Sequence, residues 1–109
     1  MSWKVLFSPK AESQLVSLYG YIADVSCPET AAAFLERLVS YCESLAVFPI
    51  RGRLRDDIRE GLRITHYKHR TVIAFVPDGA RRTVTILGVF YGGRDYAGKL
   101  QRLHGARHM

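Results

Sequence analysis

The chain concentrates its reactive chemistry in guanidinium groups. Arg51, Arg53, Arg55 and Arg59 crowd the stretch IRGRLRDDIREG, Arg63 and Arg70 stand at the heads of apolar segments, and Arg94 follows Tyr91-Gly92-Gly93 and precedes Asp95. A guanidinium fork matches a carboxylate as well as a phosphate, so these residues suit an anionic partner without naming it. The four histidines, His66, His69, His104 and His108, are too dispersed to serve as a general acid–base pair. Cys27 and Cys42 are the only cysteines, and no set of Cys, His and Asp stands at metal-ligand spacing. Both fall on one expected helix, about 22 Å apart at ~1.5 Å per residue and beyond the ~7 Å reach of a disulfide. Reduced structural thiols, no metal and no cofactor are therefore expected. Arg94 has three readings: a member of a catalytic set, a contact for a partner, or a brace for a turn at Gly92-Gly93.

Charge narrows the kind of partner. The net charge is +6, but residues 1–48 carry Lys4, Lys10 and Arg37 against Glu12, Asp24, Glu29, Glu36 and Glu43. The remainder holds thirteen basic groups against five acidic ones. Such asymmetry points to a basic face that meets nucleic acid or an acidic protein, and does not choose between them. At 109 residues, 48% hydrophobic, the chain suits a single globular domain spanning 1–109. No apolar run approaches the ~20 residues that cross a bilayer, and MSWKVLFSPKAE is too briefly apolar for a signal peptide. A cytoplasmic protein with no membrane partner is expected.

The elements that must position these groups are legible in outline. Trp3–Phe7 is short, apolar and β-prone. Ser8 suits an N-cap and Pro9 a first helical position, after which Ala11, Leu15, Leu18, Ile22 and Val25 form one helical face. Ser26 and Glu29 stand at capping-box spacing around Pro28, and Ala31, Leu35, Leu38, Cys42 and Leu45 continue a second face until Pro49. Residues 50–61 read as a polar surface loop. Strands are predicted over Leu62–Tyr67, Arg70–Val76 and Thr83–Phe90, joined by Lys68-His69 and by PDGAR. The tail from about residue 97 reads as a short helix or a frayed basic end. The order β-α-α-β-β-β predicts an α+β, two-layer domain: an N-terminal strand, then a helical hairpin packed on an antiparallel sheet. The N-terminal strand is expected at an edge or beside the last strand.

In this order and spacing, SPKAE…L…YIA, FPIRGRLRDDIREGLR and VTILGVFYGGRDY resemble the ParE/RelE toxin superfamily, with ParE the nearer branch. The resemblance runs from Trp3 to about Tyr96. It implies the toxin of a type II toxin–antitoxin pair, associated with growth arrest and plasmid stabilisation. The partner implied is a ParD-like antitoxin with an acidic C-terminal segment, in a hetero-oligomer that meets operator DNA only through the antitoxin. ParE-like toxins act on DNA gyrase, whereas RelE-like relatives cleave messenger RNA on the ribosome. The nuclease pattern needs clustered basic residues beside a tyrosine. Here RTVIAFV offers Arg70 followed only by Thr71 and apolar groups. The gyrase reading, with no catalytic residues, is therefore preferred. The alternative is an mRNA endoribonuclease using Arg63, Arg70, Tyr91 and Arg94. In the ParE pattern the last strand commonly ends His-Gly-x-Arg-Asp, whereas this chain has Tyr91, which does not titrate near neutrality.

Two surfaces follow from the resemblance. Antitoxin contacts are expected at Leu18, Tyr19 and Ile22 on the first helix and at Arg53, Arg55 and Arg63. Target contacts are expected at Tyr91, Arg94 and Asp95. The competing roles are core packing for the helix stripes and loop or cross-strand bracing for the arginines.

Overall fold

The computed structural model describes residues 3–68 and 70–92. Lys4–Phe7 forms strand β1, and Ser8 turns the chain into helix α1, Pro9–Val25. Ser8 Oγ accepts a hydrogen bond from the Ala11 N–H at 3.1 Å, satisfying a donor that the first helical turn leaves unpaired. Helix α2 spans Pro28–Glu43 and tightens into a 3-10 turn over Ser44–Ala46. Its N-cap is Cys27, and the expected Ser26–Glu29 capping box does not form. Proline takes the first helical position, so the cap falls on residue 27 and Ser26 lies one residue outside the helix. The two helices bury Ala11, Leu18, Ile22, Ala31, Leu38 and Cys42 toward one face of a sheet.

That sheet departs from the expected antiparallel one in two respects. Strands β2 (Arg53–Leu54), β3 (Arg63–Tyr67), β4 (Thr71–Asp78) and β5 (Thr83–Tyr91) form an antiparallel meander, and β1 joins the far edge parallel to β5. The sheet is thus mixed and five-stranded, with order β1-β5-β4-β3-β2. Hairpin turns force antiparallel neighbours, but a crossover through two helices can return a strand in either direction. The position beside β5, at an edge, is as expected. Strand β2 lies inside the stretch read as a loop.

Residues 55–62 are also more than a solvated connection. Ile58, at 5% exposure, seals the sheet face opposite the helices together with Leu62, Ile64, Val72, Ala74 and Phe90. The turn holds itself: Gly61 N–H donates to Asp56 Oδ1 at 2.8 Å, and Arg55 forks onto Asp57 at 2.9 and 2.8 Å.

The two thiols differ in kind. Cys27 is half-buried, and its Sγ lies 3.2 Å from Thr30 Oγ1, a contact that lowers its pKa by favouring the thiolate. Cys42 is fully buried in the core, and burial pushes its thiol up to about 12. Titration with a disulfide reagent is expected to find one reactive thiol in the native protein and a second only in denaturant. Because Cys42 stays neutral when folded while the unfolded thiol ionises near 9, its contribution to stability is complete below that pH. It is lost as the pH climbs toward 12.

Candidate functional site between helix α1 and the end of the sheet

The register of β4 against β5 slips beside Ala74: Ala74 opposes Gly88 and Phe75 opposes Ile86, so Leu87 has no partner. A bulge of this kind releases backbone groups from the ladder. The Val89 N–H is taken by Gln14 of α1, whose Oε1 accepts it at 2.8 Å. Ser8 Oγ donates to the Leu87 carbonyl at 3.3 Å, a second tie between the start of α1 and the bulge. Replacing Gln14 with alanine leaves the N–H of a buried residue unpaired. It is expected to cost about 1–3 kcal/mol, measurable by urea unfolding.

Alongside that tie, α1 and the ends of β4 and β5 enclose an open cleft of about 420 Å³. Lys10, Ser13, Ser17 and Tyr21 line it from the helix, and Arg70 and Tyr91 from the sheet. Among the described residues neither a carboxylate nor an imidazole faces into it. It therefore presents two cations, several hydroxyls and aromatic edges, a composition suited to an anion or to the backbone of a partner. The helical contribution was visible in the spacing 10-13-17-21, one face of α1, but nothing in the sequence said that this face meets β5.

Behind the cleft a chain of rings crosses the seam between helices and sheet. Tyr21 packs on Tyr91 with centroids 6.0 Å apart, Tyr91 on Phe34 at 6.0 Å, Phe34 on Tyr67 at 6.0 Å and Tyr67 on Tyr41 at 5.1 Å. Tilted and edge-on rings at these separations attract beyond simple area burial. Tyr41 ends the chain with a hydroxyl 3.1 Å from Thr65 Oγ1, and Arg51 lies over its ring at 5.6 Å. Thr71, whose strand partners are Tyr67 and Tyr91, keeps a buried hydroxyl that has no hydrogen-bond partner among the described residues.

The expected site residues separate in space. Tyr91 is half-buried and joins Arg70 at the cleft. Arg94 and Asp95 lie outside the described residues, as do the expected tail helix, His69, His104 and His108. Leu18 and Ile22 are 6% and 8% exposed and belong to the core, so Tyr19 alone of the α1 trio offers surface. Arg53 is exposed on β2, and Arg55 forms the Asp57 pair. Arg63 forms no cross-strand ion pair among the described residues. Its Nε donates to the Arg51 carbonyl at 2.9 Å and its terminal nitrogen to the Gly52 carbonyl at 3.3 Å, clamping the approach to β2.

This fold is shared with chains from solved toxin–antitoxin structures. One match is the chromosomal ParDE system from P. aeruginosa, at 19% identity and a TM-score of 0.69, covering 83% of this chain and 96% of that one. Another is the RelBE2 toxin–antitoxin complex from Mycobacterium tuberculosis, at 24% identity and a TM-score of 0.58, covering 84% and 99%. A search of curated protein sequences returned no match. The family model for the ParE toxin of the type II toxin–antitoxin system parDE matches residues 5–96. The chain belongs to the ParE toxin family.

Proposed function

We propose that this toxin arrests growth by binding DNA gyrase and blocking replication, without catalysing a reaction of its own. In the cytoplasm it is held inactive in a hetero-oligomer with a ParD-like antitoxin. The observation that carries the non-catalytic reading is the cleft: it offers cations and hydroxyls, but none of its described lining residues is a carboxylate or imidazole able to take a proton near neutral pH. Tyr91 lines this cleft, and target contacts are proposed at Tyr91, Arg94 and Asp95. Recognition by such a surface is a matter of complementary charge and aromatic contact rather than bond making.

A second reading, a ribosome-dependent mRNA endoribonuclease, draws support from the convergence of Lys10, Arg70 and Tyr91 on one cleft, where a phosphate would find two cations. Against it, Arg63, a member of the set that this chemistry would use, already donates to two backbone carbonyls. Purified protein added to a gyrase supercoiling reaction is expected to inhibit it or to accumulate cleaved DNA. Untouched gyrase, with translated messages cut at codon boundaries, would overturn the first reading in favour of the second.

A further inference from the structure

The cleft beside α1 runs well beyond Tyr91 along the helix. Lys10, Ser13, Ser17 and Tyr21 line it in one row. Lys10 and Tyr21 stand about 16 Å apart along the helix axis at ~1.5 Å per residue. Arg70 sits at the Tyr21 end: its carbonyl accepts the Gly92 N–H at 2.8 Å, and the adjacent Tyr91 packs on Tyr21 at 6.0 Å. Lys10 sits toward the other end, where Ser8 donates to the Leu87 carbonyl. The cleft is therefore an elongated trough with a cation toward each end and two serine hydroxyls between.

Both cations are exposed, and among the described residues neither forms an ion pair. The walls that carry them are fixed. Ser8 caps α1 through the Ala11 N–H, Gln14 accepts the Val89 N–H at 2.8 Å, and the Gly92–Arg70 bond closes the end of the sheet. A site already ordered before binding loses little conformational freedom when a partner arrives.

Length, charge and hydrogen bonding select the occupant. A span of about 16 Å matches about five residues of extended chain at ~3.3 Å each. Such a chain offers backbone N–H and C=O groups to serine hydroxyls, which both donate and accept. Carboxylates toward its two ends would meet Lys10 and Arg70, the latter through a guanidinium fork. A nucleic-acid strand also carries anions, but single-strand sites hold bases on aromatic faces. Here the Tyr91 ring is already flanked by Tyr21 and Phe34, each at 6.0 Å. A second copy of this chain carries the same net charge of +6 and is repelled.

We infer that this cleft determines specificity for the target, receiving an extended acidic segment of the target protein whose terminal carboxylates pair with Lys10 and Arg70. The inference rests on the target-binding function proposed above. It extends the contacts proposed at Tyr91, Arg94 and Asp95 along α1 to Ser13 and Lys10, with Tyr91 common to both sets.

The test measures gyrase binding by calorimetry and gyrase inhibition in the supercoiling reaction. Lys10→Glu and Arg70→Glu are each expected to weaken both by about 10-fold, and the double variant by about 100-fold. Ser17→Trp fills the cleft without altering charge and is expected to cost about 10-fold as well. Arg37→Glu makes the same change of charge at an exposed α2 position outside the cleft, and should stay within about twofold of the parent. Melting curves and affinity for the cognate antitoxin are the controls and should hold in every variant. Parental inhibition by the double variant overturns the inference while gyrase binding stands. A parallel loss of antitoxin affinity also overturns it, by assigning the cleft to the antitoxin. So does single-stranded RNA that binds the parent but not the double variant while gyrase binding is unchanged, which assigns the cleft to a nucleic-acid strand. Failure of the unaltered toxin to bind gyrase overturns both the inference and the proposed function.

Discussion

Replacing Phe75 with alanine is expected to lower the melting temperature by about 15–30 °C. Phe75 is fully buried at the centre of β4, opposite Arg63 on one side and Ile86 on the other, and it packs into the core beneath the helices. Truncating a buried phenylalanine removes its transfer free energy and leaves a cavity, together about 3–5 kcal/mol. A domain of this size holds only about 5–15 kcal/mol in total, and each kcal/mol shifts its midpoint by about 4–8 °C. The position is close to irreplaceable, because Phe75 lies where the β4–β5 register slips and neighbouring strands cannot close over a void without disturbing the bulge. Calorimetry of the purified variant beside Ile73→Val, for which about 0.5–1.5 kcal/mol is expected, checks the reasoning. A fall of less than about 5 °C for Phe75→Ala would mean that the core collapses into the space, contrary to the tie that Gln14 makes to the bulge.

The helices and the long strands were legible because their signals are local. Ser8-Pro9 marks a helix start through the geometry of one turn, and stripes such as Ala31, Leu35, Leu38, Cys42 and Leu45 recur at helical spacing whatever they pack against. What escaped depends on distant partners. Strand β2 is two residues long and exists because β3 runs beside it. Ile58 is a single apolar side chain in a charged stretch, and its burial is decided by the sheet face it happens to cover. The parallel direction of β1 is set by the path of two helices rather than by any turn. One non-local feature did leave a trace: Ile86 and Val89, three residues apart, both face the helices, an interruption of strict alternation that a bulge requires.

The site was legible as residue types and not as places. Arg63 looked like a surface group because arginine forks seek anions, yet its partners are two backbone carbonyls exposed by the turn before β2. Leu18 and Ile22 had two possible roles, core and docking, and tertiary packing gave them the core. Tyr21, at the edge of the same stripe, instead reaches Tyr91 across the seam. Val47, Phe48 and Ile50 are informative in the opposite sense: they are large apolar side chains, and they lie exposed.

That exposed stretch is anchored at one backbone position, and Gly52→Ala is expected to unseat it. Gly52 has a φ of +76°, in the left-handed region that costs an alanine about 1 kcal/mol. A Cβ built there would overlap the Ile64 carbonyl oxygen, lie 2.9 Å from the carbonyl carbon and come within 3.0 Å of Thr65 Cβ. These neighbours belong largely to the backbone of β3, so no flexible side chain can step aside. The least costly relief is for β2 to peel away, which gives up its pairing with Ile64 and Arg63 and the two carbonyls that the Arg63 fork holds. At about 0.5–1.5 kcal/mol for each net hydrogen bond, the loss comes to about 2–3 kcal/mol. It stays below the Phe75 value because water can solvate the released groups and β2 is outermost. Gly79→Ala is the matched control: its Cβ would meet nothing within 4 Å, and melting should hold or rise slightly. Peeling also predicts a pairing of effects that a plain loss of stability does not. Hydrogen exchange should quicken at Arg53 and Leu54 while β4 and β5 stay protected. A Gly52→Ala protein that keeps protected β2 amides and melts within about 2 °C of the parent would show that the close approach at Ile64 relaxes without cost.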